Sequence, residues 1–121
     1  MSPLIVLLAA AAPVSAPVTV AELAVPQDHG EQQVMVQARD FASGAASGWH
    51  IHPGTEIAYV VSGEMELVTA GGVRRLGPGE SFVMPRGTAH NGGNPGSETA
   101  KVVITLVVDK GVPARQPVPA P

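Results

Sequence analysis

Turn-forming residues divide this chain into short segments, and they constrain its fold more than any other feature. Its 121 residues include 14 Gly and 12 Pro. The segments between Gln33 and Val108 are rich in Val, Ile and Leu, and several alternate polar with apolar residues. This pattern is typical of β-strands, and no stretch has the 3.6-residue period of a long amphipathic helix. The sequence therefore predicts an all-β sandwich or barrel.

Seven strands are predicted, and Gly or Pro lies in every gap between them. Gly71-Gly72 predicts a hairpin turn, and Asn94-Pro95-Gly96 predicts a turn with Pro at its second position. The predicted strands cover residues 33–41, 48–52, 56–62, 64–69, 73–76, 81–84 and 99–108.

Composition excludes several classes of function. The formal net charge is −3 and only 14% of residues are charged, which argues against nucleic-acid binding. No apolar stretch reaches the ~18 to 20 residues of a membrane-spanning helix, so stable membrane insertion is not expected. The chain has no Cys, which excludes disulfides and thiolate-based metal sites. A bound metal would have to be held by His and carboxylate side chains.

The two ends differ from the body of the chain. Residues 1–21 carry no charged side chain and combine a short apolar core with small residues, as in a signal peptide. We therefore expect export to the periplasm or outside the cell. The alternative is a disordered leader on a cytoplasmic protein, because no Lys or Arg precedes the apolar core. Residues 22–110 are predicted to form one barrel, and residues 111–121, with four prolines, a disordered tail.

Three histidines are the main candidates for binding a metal ion. His50 and His52 are two residues apart, so on a strand their side chains face the same side and can converge on one ion. Glu56 follows the Pro53-Gly54 turn and can return a carboxylate to that point, and His90 would come from a distant strand. By itself, His-x-His also suits a polar strand face.

Two spaced motifs together extend from Gly44 to Asn94. The first motif is Gly44-x5-His50-x-His52-x3-Glu56-x6-Gly63, and the second is Gly79-x5-Pro85-x-Gly87-x2-His90-x3-Asn94. Both are complete at every fixed position, and they resemble the two motifs of the cupin family.

This resemblance implies a double-stranded β-helix, the jelly-roll barrel of cupins. It implies one divalent transition metal, Fe, Mn, Ni, Co or Zn, held by His50, His52, Glu56 and His90. It also implies a small-molecule ligand or substrate and a homodimer that pairs through edge strands.

Other residues of the motifs are predicted to have structural or pocket roles. Gly63, Gly79 and Gly87 are expected in turns where a Cβ would clash, and Asn94 is expected to tighten its turn. Alternation from Glu56 predicts that Ala58 and Val60 face inward and Tyr59 outward. Arg86, beside His90 in sequence, is a weak catalytic candidate that could clamp a substrate.

Three functions are compatible with these residues. The first is a metal-dependent, dioxygenase-like enzyme, similar to quercetin-dioxygenase-like cupins, acting on a small oxygen-chelating organic substrate. The second is a metal-assisted isomerase or lyase, which needs an inward acid or base that the sequence does not supply. The third is a non-catalytic cupin that binds or senses a small ligand.

Overall fold

A computed structural model describes residues 2–4 and 13–121. Within those ranges every regular element is a β-strand, and no helix is long and apolar enough to cross a membrane. Most of the apolar core of the predicted leader lies outside the described residues. The strands are β1 (Gln32–Phe41), β2 (His50–Ile51), β3 (Gly54–Ser62), β4 (Met65–Thr69), β5 (Gly72–Leu76), β6 (Ser81–Met84), β7 (His90–Gly93), β8 (Ala100–Asp109) and β9 (Gln116–Pro117).

The strands form two antiparallel sheets, as expected for a jelly-roll cupin fold. The four-stranded sheet has the order β1-β8-β3-β6, and the five-stranded sheet has the order β5-β4-β7-β2-β9. All seven predicted strands are present, one of them (81–84) with the predicted bounds and six with shifted ends. The sequence does not predict β7, which contains Gly92 and Gly93, because such residues have low strand propensity; β7 instead forms by pairing with β4.

The core lies between the inward faces of the two sheets. Along β8 the alternation is complete, so that Val102, Ile104 and Leu106 are buried while the residues between them are partly exposed. Such alternation is what a strand with one buried face requires. Met65, Phe82 and Met84 also belong to this core, as their positions in the predicted strands suggest.

The C-terminal segment is ordered differently from the sequence prediction. Instead of a disordered tail, β9 pairs with β2 along the outer edge of the five-stranded sheet. The amide of Val118 also donates a hydrogen bond of 3.1 Å to the carbonyl of Trp49. Pro117 is compatible with β9 because an edge strand tolerates the loss of a backbone donor. The predicted domain boundaries themselves stay predictions.

The motif glycines serve turns for two different reasons. Gly63 has φ of 79°, and a Cβ built there would lie 2.7 Å from Cα of Ala100. Gly79 and Gly87 also have positive φ, but a Cβ on either would meet nothing within 4 Å. The predicted clash is therefore present at Gly63, whereas Gly79 and Gly87 are required by backbone conformation alone.

Gly44 and Gly63 offer a matched test of this distinction. Gly44 has φ of 78°, close to that of Gly63, but a Cβ on it would have open space. We expect Gly63→Ala to lower the free energy of unfolding by about 1–3 kcal/mol more than Gly44→Ala, because only the former adds overpacking to backbone strain. Urea unfolding followed by circular dichroism measures both. Equal losses would show that the contact with Ala100 is relieved at no cost.

Candidate metal centre

Both sheets contribute to one buried cluster of possible metal ligands. His50 in β2 stands directly opposite His90 in β7, so these two side chains share a face of the five-stranded sheet. His52 follows β2, and Glu56 comes from β3 in the facing sheet. All four residues are buried, and one ligand atom from each lies within 4.8 Å of the others.

Backbone carbonyls fix the orientation of the three imidazoles. Nδ1 of His50 lies 2.7 Å from the carbonyl oxygen of Gly48. Nδ1 of His52 lies 2.7 Å from that of Ala114, and Nδ1 of His90 lies 2.9 Å from that of Thr88. Because a carbonyl oxygen can only accept, each Nδ1 carries the hydrogen and donates it. In each neutral ring Nε2 is therefore left with a free lone pair.

The Glu56 carboxylate meets two of these nitrogens. Its Oε2 lies 2.9 Å from Nε2 of His52 and 2.9 Å from Nε2 of His90. Nε2 of His52 is buried and has no aligned hydrogen-bond partner. A carboxylate oxygen placed among lone pairs needs a cation or additional protons between them. These four residues therefore could hold a metal ion, and their donor set is one that divalent transition metals accept.

The ionisation states of His50 and Glu56 also suit a cation. Burial lowers the pKa of His50 to about 4, so this imidazole is neutral at neutral pH. Burial opposes the charged forms of His52 and Glu56 as well, but their mutual pairing outweighs it. As a result the pKa of His52 is raised, and that of Glu56, which also pairs with His90, is lowered to about 2. Glu56 is thus an ionised carboxylate.

Loops outside the cluster hold the ligand-bearing segments in place. The amide of Gly87 donates to the carbonyl of His52 at 3.1 Å, which joins the turn before β7 to the end of β2. Asn94 is buried, and its Nδ2 donates a hydrogen bond of 2.9 Å to the carbonyl of Phe41. Its Oδ1 accepts a hydrogen bond of 2.8 Å from the amide of Gly96. Its predicted role in tightening this turn is confirmed.

A cavity of about 610 Å³ opens beside the cluster, between the two sheets. Ala58 lines it, Val60 is buried, and Tyr59 is 37% exposed, so the predicted alternation of β3 is confirmed. Its apolar wall includes the buried residues Met65, Leu67, Phe82, Val102, Ile104 and Leu106. Such a wall keeps water away from whatever occupies the cavity.

The structure does not bring Arg86 into this cavity. Its guanidinium forms a two-pronged ion pair with Asp109, with N–O distances of 2.8 and 2.9 Å. This pairing raises the pKa of Arg86 and lowers that of Asp109. Arg86 therefore joins the second motif to the end of β8 and does not face a substrate.

Sequence reasoning missed three charged residues that line the cavity, Arg39, Glu66 and Arg115. The available signal for Arg39 was period-two alternation from Phe41, which is buried at the end of β1 and lies two residues after Arg39. Arg115 and the neighbouring carbonyl of Ala114 lie in the segment predicted to be a disordered tail. Nothing in that segment's composition indicates that it packs beside His52.

Comparisons with known proteins agree with this fold and cluster. The chain is 37% identical to oxalate oxidase 1 of Hordeum vulgare over 76 residues, which are 55% of this chain and 38% of that protein. It is 39% identical over 70 residues to a germin-like protein of Arabidopsis thaliana, covering 53% of this chain and 32% of the relative. The chain thus spans well under half the length of these relatives.

Solved structures show the same similarity. An oxalate oxidase in complex with the substrate analogue glycolate is 30% identical, with a TM-score of 0.60, over 71% of this chain and 52% of that one. An RmlC-like cupin from Shewanella frigidimarina is 26% identical, with a TM-score of 0.58, over 64% of this chain and 68% of that one. Residues 38–108, more than half of the chain, match the family described as the cupin domain. The chain therefore belongs to the cupin family.

Proposed function

We propose that this protein is a metal-dependent cupin oxidoreductase that uses dioxygen on a small organic substrate with chelating oxygens. One observation carries the proposal: one ring nitrogen from each of three imidazoles and a carboxylate oxygen of Glu56 lie within 4.8 Å of one another, in a buried cluster beside a largely apolar cavity. A bound Fe, Mn, Ni, Co or Zn would supply Lewis acidity there and, for redox-active ions, electron transfer. The ligand set alone does not select one of these metals.

The chain's own residues perform three tasks in this proposal. His50, His52, Glu56 and His90 would hold the ion, and the carbonyls behind the imidazoles keep each ring in its binding tautomer. The buried apolar wall excludes water from the substrate. Besides Glu56, the carboxylate that lines the cavity among the described residues is Glu66, on β4.

Similarity to oxidases favours redox chemistry over the alternatives. Several of the curated relatives carry the name oxalate oxidase, at 34–37% identity. A metal-assisted isomerase or lyase would need an acid or base beside the substrate. Glu66 borders the cavity, but it lies between the buried Met65 and Leu67 on β4, so alternation directs its side chain away from the core. A ligand-binding cupin without turnover would use the same cavity. Consumption of oxygen separates the first function from both others.

Oxygen uptake is the test of the proposed reaction. We expect the metal-loaded protein to consume dioxygen with at least one of oxalate, a 1,3-diketone or a catechol. Glu56→Gln should reduce the rate at least about 100-fold, because it replaces the charged oxygen ligand by a neutral amide. A Clark electrode measures the rate. Glu64→Gln, which changes an acidic residue that does not line the cavity, is the control.

Two other results would contradict this reaction. Substrate loss without oxygen uptake would indicate isomerase or lyase chemistry. Tight binding of the same compounds without turnover, across all five metals, would indicate a binding module.

The C-terminal segment is predicted to support metal binding through His52. Deleting residues 112–121 removes the Ala114 carbonyl that accepts from Nδ1 of His52. We expect about 10–100-fold weaker metal affinity, since the loss of such outer partners has that effect in metal sites. Deleting residues 119–121 alone is the control, because it leaves β9 and Ala114 in place. Competition with a fluorescent chelator measures both, and equal affinities would contradict this role.

Dimerisation and export stay predictions. β1 is the outer strand of the four-stranded sheet, with Val34 and Val36 exposed at 65% and 69%. A ten-residue edge strand of this kind is suited to pairing with a second copy, which supports the expected homodimer. Export depends on the leader, most of whose apolar core lies outside the described residues.

A further inference from the structure

One end of the cavity, called here the metal end, lies at the candidate metal cluster, and the far end lies at Val102. The register of β8 gives the distance between the two ends. Leu106 stands opposite Glu56, at the level of the cluster. The next two inward-facing residues of β8 are Ile104, opposite Ala58, and Val102, opposite Val60. Inward-facing positions on one strand are about 6.7 Å apart, so Val102 lies about 13 Å from the cluster along the strand. A ligand that contacts both the cluster and Val102 is therefore elongated.

Arg115 lies at the metal end. The carbonyl of the preceding residue, Ala114, accepts the hydrogen bond from His52. Nη2 of Arg115 donates to the carbonyl of Ser47, and the carbonyl of the next residue, Gly48, accepts from His50. The guanidinium therefore sits beside two of the three imidazoles. Arg115 also lines the cavity.

Within the described part of the chain, the charge of Arg115 has no acidic partner. A guanidinium has five N–H donors, and the Ser47 carbonyl occupies one of its nitrogens. Among the residues that the structure describes, no carboxylate lies within 4.0 Å of Arg115, Arg39, Arg74 or Arg75, whereas Arg86, Lys101 and Lys110 each have an acidic partner. Of those four arginines, Arg115 and Arg39 line the cavity. A free guanidinium at a cavity mouth is suited to bind a carboxylate through two parallel hydrogen bonds.

Arg39 is the other cation of the lining, and it lies at the far end. Its register partner is Val102, and its guanidinium carbon lies 5.0 Å from the centre of the Phe41 ring. Glu66, from the facing sheet, is the acidic residue of the lining outside the cluster. A carboxylate held at the metal end is therefore about two rows of side chains away from Arg39.

The size and wall of the cavity favour a ligand that is larger than a very small polar anion. A cavity of about 610 Å³ falls in the range of about 300–1,000 Å³ that encloses drug-sized ligands. Oxalate, a two-carbon dianion, would leave the walls of Phe82, Ile104 and Val102 without contacts. These walls favour an aryl or alkyl body.

We propose that the cavity binds a hydrophobic carboxylic acid, with its carboxylate on Arg115 beside the metal centre and its apolar body along Phe82, Ile104 and Val102. This inference rests on the proposed function and narrows its substrate class. 3-Phenylpropanoate is a suitable probe because it combines one carboxylate with an aromatic body.

Calorimetric titration of the full chain with 3-phenylpropanoate tests the proposal, in the metal-free and the zinc-loaded protein. We expect binding in both forms, and at least about tenfold weaker binding by Arg115→Gln, which loses a charge-assisted hydrogen bond. Arg115→Lys should retain part of the affinity because it keeps the charge. Arg74→Gln is the matched control, since Arg74 donates to the Ser81 carbonyl and does not line the cavity.

Neutral and small probes complete the design. 3-Phenylpropan-1-ol should bind the parent more weakly than the acid, and Arg115→Gln should not change its affinity. Oxalate should show no measurable binding to the metal-free protein. Melting curves establish that every variant is folded.

Three results would overturn the proposal: no binding of 3-phenylpropanoate to the parent, equal affinities of the parent and Arg115→Gln, or a loss confined to Arg39→Gln. The last would place the carboxylate at the far end. Failure of the proposed function is distinguishable, because binding without oxygen uptake contradicts the oxidoreductase and leaves this ligand class standing. Oxygen uptake with oxalate, without binding of 3-phenylpropanoate, would support the oxidoreductase and contradict the proposed ligand class.

Discussion

The structure depends on the meeting of one buried carboxylate with three imidazoles from the opposite sheet. Glu56 comes from the four-stranded sheet. His50 lies in β2, His52 in the turn after β2, and His90 in β7 of the five-stranded sheet. Bringing an ionised carboxylate into a buried position costs free energy unless a partner compensates its charge. A metal ion would provide that compensation and at the same time link the two sheets. The packing of the two sheets therefore forms the candidate metal centre, and a bound ion would in turn hold the two sheets together.

Backbone carbonyls make this arrangement specific. Each imidazole donates Nδ1–H to a carbonyl, two of them only two residues away and one from the C-terminal segment. The short-range partners, Gly48 and Thr88, lie in the loops that precede β2 and β7. The long-range partner, Ala114, ties the last residues of the chain to the cluster. The C-terminal segment lies outside the region that matches the cupin domain. It supplies the carbonyl that orients His52, and it contributes Arg115 to the cavity.

Much of this could be predicted from the sequence, for identifiable reasons. Period-two alternation and Gly/Pro turns are local signals, so seven strands and the inward direction of Ala58 were predictable. The clustering of the four candidate ligands was predictable from the resemblance of the two motifs around His50 and His90 to those of cupins. β7 and β9 were not predictable, because both form through partners distant in sequence and neither has strand propensity. Arg86 illustrates the same limit: its position beside His90 in sequence suggested a site residue, but its ion partner, Asp109, lies 23 residues away.

Metal content of the purified full chain, compared with two histidine variants, tests the central claim most directly. His52→Ala removes a buried member of the cluster, whereas His29→Ala removes a histidine outside it, 3.5 Å from Asp28. After equilibration with each candidate ion and desalting, elemental analysis should find about one metal per chain in the parent and in His29→Ala, and much less in His52→Ala. Equal metal content in the parent and both variants, or none in the parent with any ion, would contradict the assignment of this cluster as a metal centre.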